Sequence, residues 1–306
     1  HKVYLLYKLE SINLNNLANK NAQPLITSTM IIEQIIPLPP LSEQKAIADY
    51  LDKKTNEIDQ IIDAKKKLIA LYNEEKSALI NRAVTKGIDD KAKFKPSGVE
   101  WLGDIPQHWE VKKLKQVANI TLGKTLSSKK IGDMTEEYYL RSANVDWYKP
   151  RLDSKKKMWF TSHEKSKMKV EQYDLIVSEG GDVGRTCMWN NEIENCYIQN
   201  SVHRVRFDDK IKAFYYLRLF VLYGSLGVYD SVVNRISIAH LTVDKISSLV
   251  FPFPPLKEQE KIVEYIEKNI SVIDKKIANA KRLIELMTEY RTTLISEVVT
   301  GKVKVV

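Results

Sequence analysis

One long internal repeat restricts the possible folds of this chain more than any other feature. The segment PPLSEQKAIADYL begins at Pro39, and the similar segment PPLKEQEKIVEYI begins at Pro254. With a single fixed offset, residues 39–85 align with residues 254–300 without a gap, and roughly 20 of about 47 positions are identical. The similarity indicates an internal duplication.

Each copy of the repeat predicts a long helix. Neither copy contains Pro or Gly over about 42 residues, which corresponds to a helix of roughly 60 Å. The prolines end the preceding segment, because Pro cannot continue a helix or a sheet ladder. Ser42 is the expected N-cap of the first helix, and Glu43 and Glu258 place negative charge at the positive end of each helix dipole.

Both predicted helices carry apolar residues at seven-residue spacing, a pattern typical of helices that pair. Because the stripes are equivalent, we expect them to pack on each other. The alternative is that each helix packs on its own domain, although the predicted length exceeds that of typical globular helices. The residues expected at the seam are Leu51, Ile58, Ile62, Ile69, Ile266, Ile273, Ile277, Ile284 and Met287.

Composition and charge narrow the class of protein. The chain has 306 residues, of which 43% are hydrophobic, as expected for a folded protein with a sizeable core. Its net charge of +9 favours a polyanionic partner such as nucleic acid. No apolar run approaches the about 18 residues of a transmembrane helix. The two cysteines form no zinc-binding pattern. We therefore expect a cytoplasmic protein without a membrane partner.

The sequence between the two helices predicts a mixed α and β domain. Residues 93–111 are rich in turn-forming Pro and Gly. Short β-like runs follow, namely VANITL, EYYLRSANV, DLIVSEG and CYIQNSVHRVRF, and the stretch KAFYYLRLFVLYG near Phe214 predicts a helix.

A set of ordered motifs in this domain resembles a known family. WEVKKL begins at Trp109, LGKTL at Leu122, YLRSANV at Tyr139, SEGGDVGRT at Ser178 and QNSVHRVR at Gln199. Together with the PPL-x-EQ helix starts and the closing LISEVVTGK, they resemble the specificity subunits of type I DNA restriction-modification systems. The resemblance covers nearly the whole chain.

The resemblance implies an α+β fold, in which a mixed α/β target-recognition domain is flanked by two long helices forming an antiparallel coiled coil. Members of the family carry two recognition domains, each reading one half of a split site in double-stranded DNA. The helices hold these domains at a fixed separation. The implied partners are methyltransferase subunits and, through them, restriction subunits. S-adenosylmethionine, ATP and Mg would belong to those partners, and no cofactor is expected in this chain.

The resemblance also predicts the domain boundaries. Residues 1–38 would be the C-terminal remnant of a first recognition domain, since they are too few for a complete one. Residues 39–88 and 254–306 would be the spacer helices, and residues 89–253 the recognition domain. Residues 19–27 match residues 234–242 in character. The alternative is a half-type subunit that pairs with a second copy of itself.

The sequence contains no motif that indicates catalysis. The proline pairs lie in LPPL and FPPL and do not form the (N/D)PP(Y/F/W) motif of adenine methyltransferases. No GxxxxGK(S/T) loop for ATP is present, and SEGGDVG lacks dinucleotide-binding spacing. Asp174, Glu179 and Asp182 lack a lysine at nuclease spacing. We therefore expect a non-catalytic chain.

Candidate DNA contacts are polar or basic residues expected in loops, because such side chains reach base edges or hold phosphates. Arg141 and Arg204 have an alternative, an ion pair with a carboxylate inside the fold. The lysine run beginning at Lys155 is equally consistent with a solvated loop. The predicted DNA-binding residues are Lys124, Thr125, Arg141, Ser142, Asn144, Lys155, Lys156, Lys157, Ser178, Arg185, Gln199, Asn200, His203 and Arg204.

Two functional hypotheses remain from the sequence. The first is a DNA-specificity subunit that recognises one half-site of a bipartite target. The second is a coiled-coil scaffold or homodimerising half-subunit, which binds protein or DNA without a restriction partner. Salt dependence of DNA binding separates the DNA-binding hypothesis from a protein scaffold.

Overall fold

The computed structural model describes residues 1–12, 26–233 and 240–305. These residues form two compact units. The first, the helical unit, comprises His1–Lys76 and Ser271–Val306, and the second, the mixed unit, comprises Ser77–Ile270. The predicted match between residues 19–27 and 234–242 lies for the most part outside the described residues.

The secondary structure of the described residues follows the sequence pattern closely. The helices are α1 (Lys2–Ser11), α2 (Ser28–Ile32), α3 (Leu41–Lys86), α4 (Ser162–Met168), α5 (Lys210–Ser225), α6 (Val228–Val232), α7 (Val243–Ser248) and α8 (Leu256–Val299). The strands are β1 (Phe94–Pro96), β2 (Asp104–Pro106), β3 (Glu110–Lys113), β4 (Asn119–Leu122), β5 (Thr135–Leu140), β6 (Lys156–Phe160), β7 (Leu175–Ser178), β8 (Thr186–Met188), β9 (Cys196–Ile198), β10 (Val202–Arg206) and β11 (Val250–Phe253).

The two repeat copies form the long helices α3 and α8, of 46 and 44 residues. Helix α3 begins at Leu41, so Ser42 lies inside its first turn and the predicted N-cap role of Ser42 is wrong. The glutamine of each EQ pair instead holds the preceding chain. Gln44 Nε2 donates to the Pro39 carbonyl at 2.7 Å, and Gln259 Nε2 donates to the Pro254 carbonyl at 2.9 Å.

Within the helical unit, α3 and α8 run antiparallel. Lys76 Nζ pairs with Asp274 Oδ1 at 2.7 Å, and Arg291 Nε pairs with Asp59 Oδ1 at 3.2 Å. Between these contacts the first helix moves back 17 residues while the second moves forward 17. Lys276 also lies over the Tyr72 ring, 5.3 Å from its centroid. Only opposite helix directions give this register.

The core of the helical unit contains most of the predicted seam. It combines Tyr4 and Tyr7 of α1 with apolar residues of α3 and α8. Ile273 is buried, whereas Ile69 and Ile277 are half-buried. Ile266 instead lies in the core of the mixed unit. The seam residues within the helical core or packed against it are Leu51, Ile58, Ile62, Ile284 and Met287.

Two sheets form the centre of the mixed unit. One is antiparallel, in the order β4-β10-β7-β8, and the other has the order β6-β5-β9 with β5 and β9 parallel. The pairs β1-β2 and β3-β11 form small two-stranded sheets. The predicted run CYIQNSVHRVRF therefore divides into two strands in different sheets.

The four-stranded sheet is covered on both faces, because successive side chains of a strand point to opposite sides. Leu175 and Val177 pack in a cluster with α5, whereas Ile176 lies in a second cluster with residues of β5 and β9. Cys187 belongs to this second cluster and is a buried free thiol. Strands β7, β8 and β10 are thus buried almost completely, whereas the edge strand β4 is half-buried. Burial on both faces accounts for the continuous apolar run of β7.

No helix of the described residues combines the length and apolarity needed to cross a membrane.

Candidate nucleic-acid interface

Ser201 lies where several predicted DNA-binding segments meet in the mixed unit. Its hydroxyl accepts a hydrogen bond from the Ser142 backbone N–H at 3.0 Å, and its carbonyl accepts one from the Ser142 hydroxyl at 2.7 Å. The same carbonyl accepts from the Glu179 backbone N–H at 2.9 Å. The Arg141–Asn144 turn, the glycine turn after Ser178 and the β9–β10 turn are therefore neighbours.

The β9–β10 turn carries Gln199 and Asn200, which are both half-buried. Gln199 Oε1 accepts from the Ser201 backbone N–H at 3.1 Å, and the Gln199 amide also donates to Asn200 Oδ1. The Asn200 backbone N–H donates to the Lys124 carbonyl at 2.8 Å, so the GKT loop joins the same group. These contacts leave the Asn200 amide donors available for a base edge.

The turn at residues 141–144 divides its residues between structure and surface. Asn144 is 5% exposed, and its amide donates to the Arg151 and Ser154 carbonyls at 2.9 and 3.2 Å. Arg141 is half-buried, and one guanidinium nitrogen lies 3.4 Å from Ser154 Oγ. Asn144 thus shapes the turn, whereas the Arg141 guanidinium forms no ion pair among the described residues.

The glycine turn is held by backbone hydrogen bonds. Ser178 N–H donates to the Arg185 carbonyl at 2.8 Å, and Gly184 N–H donates to the Ser178 carbonyl at 3.0 Å. Gly184 has a φ of 77°, and a Cβ there would lie 2.3 Å from the Tyr229 ring, so only glycine fits. Ser178 is 1% exposed, and Arg185 pairs with Asp182 at 2.5 Å.

Lys124 of the GKT loop is held inside the fold. Its Nζ donates to Glu164 Oε2 at 2.6 Å and to the Trp159 carbonyl at 2.9 Å. Burial raises the pKa of Glu164, but the hydrogen bonds from Lys124 and the Thr161 backbone outweigh it and hold this pKa below its usual range. The neighbouring Thr125 is exposed.

Lys156 and Lys157 begin the edge strand β6 of the three-stranded sheet, and Lys155 directly precedes it, where the sequence analysis also considered a loop. Lys155, Lys156 and Lys157 are all exposed, and none forms an ion pair among the described residues. Lys156 is paired with Tyr139, two residues before Arg141. Lysines on an exposed edge strand protect it from edge-to-edge aggregation, and lysine is also a residue type suited to phosphate contacts.

His203 and Arg204 lie inside the sheet, because β10 is flanked by β4 and β7. His203 is fully buried, and its Nε2 lies 2.5 Å from the Leu241 carbonyl. Burial lowers the pKa of His203 and favours the neutral ring. Arg204 donates to the Lys169 carbonyl at 2.6 Å and to Thr121 Oγ1 at 3.0 Å. Its guanidinium is therefore held by these groups inside the fold, and it does not form the ion pair with a carboxylate that the sequence analysis gave as an alternative.

The structure adds residues that the sequence analysis did not select. Ser201 joins the turns, and a serine beside Asn200 gave no sequence signal of that role. Lys129 and Lys130 are exposed in the loop after Thr125, and Lys130 Nζ lies 5.7 Å from the Trp159 ring centroid. Their position in a lysine-rich loop before β5 was a signal that could have identified them.

Metal binding finds no support in the part of the chain that the structure describes, which contains no group of three or more His, Cys, Asp or Glu side chains suited to an ion. The candidate interface of the mixed unit consists of exposed lysines beside turns that carry arginine and amide side chains.

Comparison with known proteins agrees with this geometry. The model of the family described as "Type I restriction modification DNA specificity domain" matches residues 1–70 and 106–286, which is most of the chain. The chain belongs to this family. Specificity domains are the non-catalytic part of type I systems, and the predicted family is confirmed.

Among similar proteins is the type I restriction enzyme MjaX specificity subunit of Methanocaldococcus jannaschii. It is 25% identical over 324 aligned residues, covering 99% of this chain and 68% of that protein. This chain therefore spans about two thirds of the length of that relative.

Solved structures show the same fold. A chain from a structure of a type I R-M system, described for its complex assembly and conformational transition, is 16% identical with a TM-score of 0.71, covering 98% of this chain and 71% of that one. The HsdS subunit of Thermoanaerobacter tengcongensis is 17% identical with a TM-score of 0.59, covering 98% of this chain and 70% of that subunit. The predicted α+β fold with long helices is confirmed.

Proposed function

We propose that the mixed unit binds double-stranded DNA and reads one half-site of a bipartite target. Exposed lysines hold the phosphates, and side chains of the neighbouring turns contact base edges. The relatives are named specificity subunits of type I restriction enzymes, which supports this role. The chain itself performs no chemistry on DNA in this proposal.

The observation that carries the proposal is the position of the lysine run. Lys155, Lys156 and Lys157 form no ion pair with any described residue, and they lie on the edge strand β6 or directly before it, close to Arg141. Three unneutralised charges on one short edge suit a phosphate backbone, which attracts them with little desolvation cost. The paired cations Lys124 and Arg185 are less available for such contacts.

Within this interface we propose Arg141, Ser142, Gln199 and Asn200 as the base-reading candidates, with Thr125 at the margin. Arginine matches O6 and N7 of guanine, and amides match N6 and N7 of adenine. Asn144, Ser178, His203 and Arg204 are buried, and we assign them to the support of the turns and sheet.

We further propose that the chain acts within a type I complex, bringing methyltransferase subunits, and through them restriction subunits, to its site. S-adenosylmethionine, ATP and Mg would be bound by those partner subunits. Purified alone with S-adenosylmethionine or ATP, the chain should neither methylate nor cleave DNA. Methyl transfer that persists after removal of every partner would contradict this.

Fluorescence anisotropy with a labelled duplex tests DNA binding directly. The variant with Lys155→Ala, Lys156→Ala and Lys157→Ala should bind all sequences more weakly. Its plot of log affinity against log salt concentration should be flatter by up to about three units, because up to three phosphate contacts are lost.

The chain offers a control of equal charge change. Lys65, Lys66 and Lys67 form a second lysine triplet on α3 in the helical unit. Replacing these three with Ala should leave the salt slope of DNA binding unchanged. Salt-independent binding, or the same loss in both triplet variants, would favour a scaffold or a nonspecific charge effect instead.

A further inference from the structure

The side chains of the β9–β10 turn form a chain of hydrogen bonds with one direction, here called the amide relay (Ser142, Ser201, Gln199 and Asn200). The Ser142 backbone N–H donates to the Ser201 hydroxyl oxygen at 3.0 Å. The Ser201 hydroxyl donates in turn to Gln199 Oε1, which also accepts from the Ser201 backbone N–H at 3.1 Å. Because a backbone N–H only donates, the Gln199 atom that faces Ser201 is the amide oxygen.

The orientation of the Gln199 amide determines that of Asn200. With its oxygen held by Ser201, Gln199 turns its amide nitrogen toward Asn200, and this nitrogen donates to Asn200 Oδ1. An amide nitrogen does not accept, so Asn200 has to present its oxygen there. Asn200 Nδ2 therefore lies on the other side of the amide, and it forms no hydrogen bond with any described residue.

The backbone of the turn is held as well as its amides. The Asn200 N–H donates to the Lys124 carbonyl at 2.8 Å, and the Gln199 N–H donates to the Leu140 carbonyl at 2.9 Å. Gly123 packs directly on the turn, because a Cβ there would lie 2.4 Å from the Gln199 carbonyl. A rotated Asn200 amide would place two donors against each other without room for the backbone to move. The orientation of Asn200 is therefore fixed.

We propose that Asn200 reads guanine in the half-site, because the amide relay turns its N–H donors toward the DNA. Guanine is the base whose major-groove edge offers two adjacent acceptors, O6 and N7, and no donor. Pairing of an amide with N6 and N7 of adenine needs oxygen and nitrogen side by side on the base edge, and here the oxygen is turned to Gln199. Ser142 and Gln199 then act as positioning residues. The inference rests on the proposed DNA binding of the mixed unit.

A binding selection on randomised duplex DNA locates the base pair that Asn200 contacts, because Asn200→Ala relaxes the preference there. This pair should be G·C in the wild type, favoured by roughly tenfold or more over the other pairs. Asn200→Asp keeps the shape of the side chain but replaces the outward donor with an acceptor. The preferred base should change from guanine to cytosine or adenine, whose amino groups donate.

Gln199→Glu tests the amide relay itself, because residue 199 acts through Asn200. The new carboxylate still accepts from Ser201, but its second oxygen faces Asn200 Oδ1. The Asn200 amide should rotate to donate, which turns its own oxygen toward the DNA. The preference at the same position should again move from guanine to cytosine or adenine. A structural role alone would not produce this change of base.

The chain offers a control with the same change of charge. Asn190 is an exposed asparagine of the mixed unit outside the amide relay, and Asn190→Asp should keep the wild-type preference. Thermal melting verifies that each variant is folded. If Gln199→Glu does not fold, Asn200→Asp decides the question.

The selection separates this inference from the proposed function. A pair other than G·C at the position relaxed by Asn200→Ala overturns the inference, as does a selected sequence that Asn200→Ala leaves unchanged. A guanine preference that persists in folded Asn200→Asp, or that persists or merely disappears in folded Gln199→Glu, does the same. In these cases the sequence enriched by the wild type still supports half-site reading. A wild type that enriches no sequence contradicts the proposed function, and the inference fails with it.

Discussion

The two copies of the repeat begin with the same local structure but have different surroundings. Gln44 and Gln259 each hold the carbonyl of the proline five residues before them, at 2.7 and 2.9 Å. At the second copy, Glu258 contacts His108, and Trp109 fills the space beside it. At the first copy, Glu43 borders a cavity.

This difference separates local from distant causes of structure. The start of each helix depends on residues within a few positions, and the shared PPL-x-EQ sequence produces the same hydrogen bond from glutamine to proline. The residues that pack over the start of a helix can come from a distant part of the chain. Trp109, which packs beside the start of α8, lies about 150 positions from Glu258. Similar sequence therefore does not imply similar stability at the two places.

The largest effect is expected from removing the tryptophan. Trp109→Ala should lower the free energy of unfolding of the mixed unit by about 3–5 kcal/mol, because it leaves a large cavity in the core. Urea denaturation followed by circular dichroism measures this. His108→Ala, at an exposed position, is the control and should cost less than about 1 kcal/mol. If Trp109→Ala lowers the free energy of unfolding as little as His108→Ala does, Trp109 does not fill a site in the core of the mixed unit.

A matched pair of isoleucines gives the next effect. Ile262→Ala and Ile47→Ala remove the same atoms at equivalent positions, each within the range of about 2–5 kcal/mol. Ile262 should lie near the upper end, because its side chain is fully buried in the larger core. Ile47 borders the cavity, so its loss should lie near the lower end. If urea denaturation shows equal losses of unfolding free energy for the two variants, the starts of α3 and α8 do not differ in packing.

The smallest effect concerns the capping glutamines. Gln259→Ala should cost about 1–3 kcal/mol, because the Pro254 carbonyl loses its donor in a buried site. Gln44→Ala should cost about 0.5–1.5 kcal/mol, since water reaches the more exposed Pro39 region. Thermal melting of the two variants compares them. A larger loss at Gln44 than at Gln259 would reverse the proposed order.

Features set by local sequence were predictable. The long helices follow from uninterrupted apolar periodicity, and the strands β4, β5, β7 and β10 follow from short apolar runs between turn residues. The Ser42 cap was wrong because the helix begins at Leu41, two residues before the start that a cap at Ser42 predicts. The exact first residue of a helix depends on small energy differences, which the residue types Pro, Ser and Leu at this position do not settle by themselves.

Features set by pairing between distant segments were not predictable. His203 and Arg204 have the residue types of a DNA-binding strand, yet β10 lies between two other strands and both side chains are buried. The lysine run gave no strand signal, because only its pairing with β5 makes it an edge strand. The meeting of the turns at Ser201 depends on the same long-range pairing.

A binding selection on randomised duplex DNA tests the central claim most directly, that the mixed unit reads a half-site. The wild type should enrich one short sequence. Arg141→Ala and Asn200→Ala should each relax the preference at one position, with a loss of about 1–3 kcal/mol per bidentate contact. The Lys155–Lys157 triple variant should retain the sequence preference and bind more weakly. Absence of any enriched sequence, or an unchanged preference in both the Arg141 and Asn200 variants, would contradict the account.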